Sequence, residues 1–382
     1  MKLRTITKIG ALVSVVLFCI GVAYYSFMRL SEVEKGEHVN LYAMVPDDCT
    51  AVLESSNINY FFNEISQVAY ADRFDSLKVP GLVNTVLKEM VAYAEDNEHG
   101  LSRGLSYMLV SFHEPVSEMN QVVYFKVNRE DRLLMRKLLY AKTGVAFDPK
   151  VEMYRGKEIF IYPVGGNQFV ASFAGPGFFA VSVHKRLIEK VIDAMKDGHS
   201  LLDSPSFDYK IVEKKKTANF FMGLTAHTAS MPFLEKEKHE HCWSEFDFYM
   251  NSEVFYLSGA MHAPDSCKSE VLERLYAMPV CYEKDSLLMV SGEQKVDSCI
   301  TDFTLGTDSS LFAECVKGMS RDAAFMIVAD MDKVAREPQR YAAYLPRFIR
   351  ENMRLFRSFI MSVQLKPVDG KISHIFIFTY KK

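Results

Sequence analysis

The hydrophobic pattern opens with an unbroken apolar run. Residues 9–28, IGALVSVVLFCIGVAYYSFM, carry no charged side chain. Twenty helical residues rising about 1.5 Å each match the roughly 30 Å hydrocarbon core of a bilayer. Lys2, Arg4 and Lys8 precede the run and a glutamate-rich segment follows it, so the basic excess places the N-terminus in the cytoplasm. The sequence therefore predicts a cytoplasmic tail at 1–8, a transmembrane signal anchor at 9–28 and an exported remainder.

Two alternatives to a retained anchor are cleavage and lipidation. The apolar core of a cleaved signal peptide usually spans about 7 to 15 residues and ends in small residues. This run is longer and ends in aromatic residues, which a retained helix places at the membrane interface. Cys19 follows Leu17 and Phe18, whereas lipoprotein processing expects a small residue before the cysteine. The pattern favours an uncleaved, single-pass helix in the cytoplasmic membrane.

Beyond a charged linker at 29–40, the pattern alternates between strand and helix periods. Apolar residues recur on one helical face at 82–94, 129–141 and 187–195, and glycine follows the last two of these helices. Short apolar runs separated by glycine turns predict an antiparallel meander between 151 and 183. Further strands are predicted at 41–56, 104–115, 120–127, 245–250, 254–261, 358–366 and 371–380.

Three stretches suggest an internal repeat. Residues 50–65, 217–234 and 322–341 each read as a strand, a polar break and a short helical segment, and a two-strand signal follows each of them. The predicted fold class is α+β, with antiparallel sheets, flanking helices and possible strand-helix-strand-strand repeats. The length after the anchor predicts two exported lobes, at 41–212 and 213–382.

Composition narrows the function classes only slightly. The 382 residues are 49% hydrophobic and 13% aromatic, which is typical of chains that bury a core. The formal net charge of -3 gives no basic footprint, and we predict no nucleic-acid partner. Six cysteines follow the anchor with irregular spacing, so disulfides and free thiols are both allowed.

Two stretches carry a resemblance to a protein family. They are MVPDDCTAVLESS at 44–56 and SLLDSPSFDYKI at 200–211. With them, the chain resembles the loosely related bacterial envelope proteins grouped under a domain of unknown function. That resemblance covers most of the chain after residue 40 and implies one N-terminal anchor and an exported α+β body. Neither stretch is a catalytic motif, so the resemblance implies no active residue.

Fragments of catalytic motifs occur in unsuitable contexts. Residues 100–104 match G-x-S-x-G, but a helix precedes and a strand follows, the reverse of a nucleophile elbow. Pieces of the penicillin-binding signature occur at 182–185, 55–57 and 142–144, in the wrong order. Residues 239–242, His-Glu-His-Cys, supply three zinc-ligand types but also fit a charged loop before a strand. We therefore predict no catalytic residue, no metal site and no cofactor.

The last predicted helix offers a partner-binding candidate. Arg347, Arg350, Arg354 and Arg357 are spaced to form one stripe, and apolar residues up to Phe359 occupy the remaining side. Guanidinium groups bind phosphates and carboxylates bidentately, so lipid headgroups or an acidic envelope partner would fit. A solvated helix face is the alternative.

These patterns predict a binding or scaffold module held outside the cytoplasmic membrane, with a periplasmic or extracellular body. An envelope hydrolase with an unrecognised active site is the alternative, and a structural spacer is a third class. A binding module is expected to expose an apolar or basic surface, whereas an enzyme is expected to show a polar pocket with shifted pKa values.

Overall fold

The fold is described from a computed structural model. It describes residues 39–56, 67–70, 107–113, 120–143, 148–165, 168–204, 207, 222–227, 243–262, 265–278, 280–283, 286–341, 345, 349 and 353–381. The predicted anchor at 9–28 and the predicted helix at 82–94 lie outside these ranges. Among the described helices, none has the length and apolar character needed to cross a bilayer.

The fold class is α+β, as predicted, and the described strands form one antiparallel sheet of fifteen. The strands are β1 Cys49–Ser55, β2 Met108–His113, β3 Gln121–Lys126, β4 Lys150–Tyr154, β5 Lys157–Gly165, β6 Gln168–Gly175, β7 Phe178–Ser182, β8 Met222–His227, β9 Trp243–Met250, β10 Val254–His262, β11 Cys281–Glu283, β12 Leu287–Ser291, β13 Phe325–Asp330, β14 Phe359–Val368 and β15 Lys371–Tyr380. Their order is β11-β12-β13-β14-β15-β10-β9-β8-β1-β2-β3-β7-β6-β5-β4.

Helices cover parts of both faces of the sheet. The α-helices are α1 Arg129–Thr143, α2 Lys185–Asp197, α3 Asp265–Ala277, α4 Glu293–Leu305, α5 Leu311–Lys317, α6 Met331–Val334, α7 Pro338–Tyr341 and α8 Met353–Phe356. Two 3-10 turns are η1 Leu41–Met44 and η2 Leu201–Asp203. The predicted helices at 129–141 and 187–195 are confirmed. The second ends at Gly198, whose φ of 74° favours a residue without a β-carbon.

The sheet order has two similar halves joined where β1 pairs with β8. In each half, three neighbouring strands are followed by a helix, and the last strand of the half returns to pair with the third. The halves are β1-β2-β3-β7-β6-β5-β4 and β8-β9-β10-β15-β14-β13-β12, and β11 extends the second. Helices α1 and α3 follow the third strand of their halves after connections of equal length. The final hairpins also match, because Gly177 and Gly370 both have positive φ in two-residue turns.

The strand order of the sheet groups the three predicted repeats into two units. The strands of all three predicted units are present, at β1 to β3, β8 to β10 and β13 to β15. The third set completes the second half, however, because β15 pairs with β10 just as β7 pairs with β3. Two long units therefore describe the topology better than three short ones. The helical segments predicted within 50–65 and 217–234 lie in part outside the described residues.

Each face of the sheet has two apolar clusters. Residues paired across neighbouring strands lie on the same face of the sheet, which places Tyr124 and Met326 on one face and Phe125 and Phe325 on the other. We call the face with Tyr124 and Met326 the front and the face with Phe125 and Phe325 the back. On the back, α1 packs against the first half, and α3 and α6 pack against the second. On the front, η1, η2 and α2 cover the first half, and α4 and α5 cover β12 to β14.

The predicted lobes at 41–212 and 213–382 share both the sheet and their cores. Tyr70 belongs to the first predicted lobe, yet it packs in the cluster of the second half beside Phe359. Trp243 belongs to the second predicted lobe, yet it packs with Phe207 in the cluster of the first half. Each predicted lobe therefore contributes a side chain to the apolar cluster of the other.

Candidate functional site

A chain of polar side chains, buried on the sheet and accessible at Asp48 and Lys190, connects three elements of the first half. Asp48 lies at the turn before β1, and its Oδ1 is 3.1 Å from Nδ1 of His113. Nε2 of His113 lies 2.9 Å from Oγ of Ser111, which is 3.3 Å from the hydroxyl of Tyr124. Lys190 of α2 pairs with the other carboxylate oxygen of Asp48. The Asp48 network, as we call these five residues, therefore connects α2 with β2 and β3.

No motif in the sequence marks these residues as a site. Ser111 and His113 are two apart on β2, so both point to the front face, where alternation would place apolar side chains. Polar residues at buried strand positions were the available signal. Asp48 is distant in sequence from both, and only the pairing of β1 with β2 brings it close.

The Asp48 network has the residue types and order of a hydrolase triad but not its accessibility. A nucleophilic serine needs a base within hydrogen-bond reach and a third group that orients the base. Asp48, His113 and Ser111 satisfy that spacing. Ser111 is 0% exposed and His113 is 1% exposed, however, so no substrate can reach the hydroxyl in this conformation. The arrangement satisfies buried polar groups and connects α2 to the sheet.

The charges around Asp48 stabilise its ionised form. Hydrogen bonding to His113 is the largest cause, and Lys190 adds to it, so the pKa of Asp48 lies well below its usual range. Cys49, the next residue, is fully buried, and that burial raises the pKa of its thiol to about 12. Cys49 is therefore a protonated, unreactive thiol at neutral pH. Within the described residues, Cys49, Cys281, Cys299 and Cys315 are free thiols.

We expect Asp48 to make stability depend on pH in the acidic range. Because its folded-state pKa lies below the ordinary carboxylate value of about 4, its contribution is present above pH 4 and is lost as pH falls below it. Chemical denaturation of the full chain in detergent between pH 5 and about pH 2 measures this dependence. Asp48→Asn is expected to flatten the curve, whereas Asp369→Asn in an exposed turn is expected to leave it unchanged. A parallel curve for Asp48→Asn would contradict the role assigned to the carboxylate.

A buried carboxylate, Glu54, lies beside the Asp48 network. Glu54 of β1 accepts a 2.6 Å hydrogen bond from the hydroxyl of Tyr42 and another hydrogen bond from Tyr107. Glu54 is buried on the front face, and Tyr42 belongs to η1. Because each hydroxyl donates to a different carboxylate oxygen, the pair stabilises a charge that burial alone would disfavour.

The two stretches that carried the family resemblance, 44–56 and 200–211, contact each other where η1 meets η2. The backbone N–H of Leu201 donates a 2.9 Å hydrogen bond to the carbonyl of Val45. Ser200 and Asp203 form a capping box around η2, which fixes that turn against η1. The ring of Phe207 packs against that of Tyr42 in a tilted arrangement, with 5.4 Å between ring centroids. The two stretches therefore form one packed structural unit among the described residues.

The arginine stripe is only partly described, and its described helix ends before Phe359. Arg347 and Arg350 lie outside the described residues. Helix α8 ends at Phe356, Arg357 follows in a turn and Phe359 begins β14, so the predicted helix does not reach Phe359. The helix ends there because the carbonyl of Ser358 accepts a hydrogen bond from Lys381 and starts the pairing with β15.

The two described arginines of the stripe differ in their partners. Arg357 pairs with Asp332 at 3.1 Å, and Arg336 pairs with the same carboxylate at 2.6 Å. The pKa of Asp332 is lowered, mainly by its hydrogen bond with Arg336 and further by that with Arg357. Arg354 is exposed on α8. Arg354 is thus the described member most available to an acidic partner.

The remaining motif fragments have structural explanations or lie outside the described residues. Ser182 ends β7 and donates a 2.7 Å hydrogen bond to the carbonyl of Gln121, while Lys185 pairs with Glu152 on the surface. Thr143 ends α1. Residues 100–104 and 239–242 are outside the described ranges. Within those ranges, no three His, Cys, Asp or Glu side chains are grouped to hold a metal ion.

The front face carries a partly exposed apolar strip between its two helix-covered regions. Tyr249 of β9 is 53% exposed and stacks on Tyr256 of β10, with ring centroids 4.7 Å apart. Tyr256 pairs with Ile377 of β15, and the next row places Ile375 opposite Ser258. We call Tyr249, Tyr256, Ile375 and Ile377 the front strip. Helix α5 reaches the far end of β15, where Cys315 lies 3.6 Å from the hydroxyl of Thr379, and α4 and α5 cover β12 to β14.

Comparisons with known proteins add little to this description. No family model matches the chain, and no curated protein matches it. A solved structure described as crystal form IV of TP0453 is similar to it, with a TM-score of 0.36 and 9% sequence identity. That similarity covers 65% of this chain and 90% of the other. A TM-score this low carries no argument about fold or function, so the resemblance to envelope proteins stays a prediction.

Proposed function

We propose that the protein is a membrane-anchored binding or scaffold module whose body lies outside the cytoplasmic membrane. Residues 9–28 supply the transmembrane helix in this proposal, and the strand-helix units form the exported body. The front strip is the observation that carries the binding role. One exposed and three partly exposed apolar side chains, in neighbouring rows of a sheet, form the kind of patch that interaction surfaces use. Stacked tyrosines add large contact area at a low cost in conformational entropy.

The arginines of the predicted stripe extend the proposal to acidic partners. Arg354 is exposed, and Arg357 keeps about half of its side chain accessible beside Asp332. Arg347 and Arg350 are included from their spacing alone. Lipid headgroups and acidic envelope proteins both offer the phosphate or carboxylate oxygens that guanidinium groups bind.

Site-specific photo-cross-linking in cells tests the binding role of the front strip. A benzophenone amino acid replaces Tyr249 in one variant and Tyr276, an exposed tyrosine on α3, in a matched control. The proposal expects a discrete cross-linked product from position 249 that Ile377→Asp reduces several-fold. It expects no such product from position 276. Equal cross-linking at both positions, or none at 249, would argue against the strip as a binding surface.

The Asp48 network favours a hydrolase as the second candidate, with Ser111 as nucleophile and His113 as base. That function requires an opening that exposes both side chains. A fluorophosphonate probe applied to membranes that contain the protein separates the two candidates, because it labels activated serines. We expect no labelling that depends on Ser111. Labelling of the native chain that Ser111→Ala abolishes would establish the hydrolase instead.

A further inference from the structure

The outer edge of the first half ends, among the described strands, in a short strand with two exposed apolar side chains. β4 is the last strand of the sheet order, and β5 is its neighbour among the described strands. Val151 and Met153 of β4 are 48% and 65% exposed. Edge strands usually avoid association through charges, prolines or bulges. Apolar side chains at this edge leave β4 able to accept another strand.

The hairpin between β4 and β5 determines which backbone groups face outward. Arg155 and Gly156 have positive φ and form a two-residue turn, which makes Tyr154 and Lys157 the hydrogen-bonded pair that closes it. Bonded and non-bonded pairs then alternate along an antiparallel ladder. The N–H and C=O groups of Val151 and Met153 consequently point away from β5. Four backbone groups at this edge are thus available to a further strand.

The apolar surface of this edge continues onto α1. Val151 pairs with Phe160 on the back face, where the guanidinium of Arg136 lies 4.1 Å from the Phe160 ring. Leu133 and Tyr140, on the outer side of the same helix, are exposed. Val151 and Met153 therefore lie at the rim of a back-face surface that includes exposed apolar residues of α1.

We propose that β4 pairs with β4 of a second copy of this chain, antiparallel and centred on Glu152. This register places Val151 opposite the partner's Met153 and Met153 opposite the partner's Val151. Both residues of each pair exchange N–H and C=O bonds, so all four outward backbone groups of each copy are satisfied. The same register buries the two apolar pairs against each other on the back face. A twofold axis through Glu152 closes the assembly as a dimer.

Charge on the front side of β4 supports this register. Glu152 would face the partner's Glu152, which alone would oppose pairing. Each Glu152 already lies 2.7 Å from Lys150 and 2.8 Å from Lys185, however. These lysines, Lys150 first, hold the pKa of Glu152 at about 2. Two carboxylates would then lie among four ammonium groups, an arrangement that an arbitrary extended peptide would not provide.

Light scattering of the full chain in detergent, measured over a range of concentrations, tests the dimer. We expect a concentration-dependent dimer, and Val151→Lys with Met153→Lys is expected to weaken it by about ten-fold or more through like-charge repulsion. Val368→Lys, at an exposed position on β14, is the matched control and is expected to dimerise normally. All three positions are exposed in the single chain, so both variants are expected to fold with the circular dichroism spectrum of the native chain. A native chain that stays monomeric at all concentrations would overturn the proposal. A double variant that dimerises as strongly as a dimeric native chain would also overturn it.

Cysteine cross-linking tests the register itself. Glu152→Cys places two thiols opposite each other in a non-hydrogen-bonded pair, close enough for a disulfide. After mild oxidation, we expect Glu152→Cys to give more disulfide-linked dimer on non-reducing gels than the native chain gives. Met153→Cys faces the partner's Val151 and is expected to give no such increase. A dimer in solution without the Glu152→Cys cross-link would place the interface elsewhere and exclude this pairing.

Discussion

Gly259→Ala is expected to destabilise the fold by about 3 kcal/mol or more, because the added methyl group meets backbone atoms that cannot move away. A β-carbon at Gly259 would lie 1.9 Å from the carbonyl oxygen of Glu245 and 3.2 Å from Nε2 of His374. That imidazole nitrogen lies 2.8 Å from the same carbonyl and donates a hydrogen bond to it. The histidine, which is buried, thus occupies the space beside the glycine and fixes the carbonyl that excludes a side chain.

The matched control is Gly318→Ala at the end of α5. Gly318 has a helical conformation, and a β-carbon there would meet its nearest atom at 3.5 Å, an ordinary contact. We expect a change within about 0.5 kcal/mol of the native chain or a small gain. Urea denaturation of the full chain in detergent, followed by circular dichroism, measures both variants. Equal stability of the two variants would show that the strands near Gly259 are spaced differently.

Tyr70→Ala is expected to cost about 3 to 5 kcal/mol, because it removes a buried ring and leaves a cavity in the second half. The Tyr70 ring packs 5.2 Å from Phe359 and 5.8 Å from Tyr380, measured between centroids. Its hydroxyl lies 3.1 Å from the carbonyl oxygens of both Asn251 and Val254, which share its one hydrogen. Tyr70→Phe removes only the hydroxyl and is expected to cost about 1 kcal/mol. Tyr276→Ala, at an exposed position, is the control for losing a tyrosine.

The same variant tests whether the two halves unfold together. Trp243 is the single tryptophan of the chain and packs in the cluster of the first half, so its fluorescence reports on that half. If the sheet unfolds as one unit, Tyr70→Ala shifts the fluorescence and circular dichroism midpoints equally. A fluorescence midpoint that stays at the native value while circular dichroism shows a second, earlier transition would support independent lobes at 41–212 and 213–382.

Local periodicity predicted most of the described elements correctly. The meander β4 to β7 followed from short apolar runs separated by glycine turns, and Gly156 and Gly177 do adopt positive φ there. Helix α2 followed from an apolar stripe that ends at Gly198, and its apolar residues are buried in the front cluster. Both signals lie within a single element or turn, so one sequence contains enough information to find them.

Features that depend on distant pairing could not be predicted in the same way. The Asp48 network forms because β1 pairs with β2, and the residues between them do not reveal the register. The meeting of the two halves at β1 and β8 has no local signal either. The arginine spacing matched a continuous helix, but pairing of β14 with β15 ends that helix before Phe359. Strand pairing overrode the helical period at that position.

The most direct test of the account is the location of the body relative to the membrane. Fusions to the C-terminus of the full chain carry either alkaline phosphatase, which is active only outside the cytoplasm, or a fluorescent protein that matures only inside it. The account predicts an active phosphatase that stays with the membrane after carbonate extraction, a dark fluorescent fusion, and loss of phosphatase activity when residues 9–28 are deleted. A bright fluorescent fusion with an inactive phosphatase, or phosphatase released by carbonate, would contradict it.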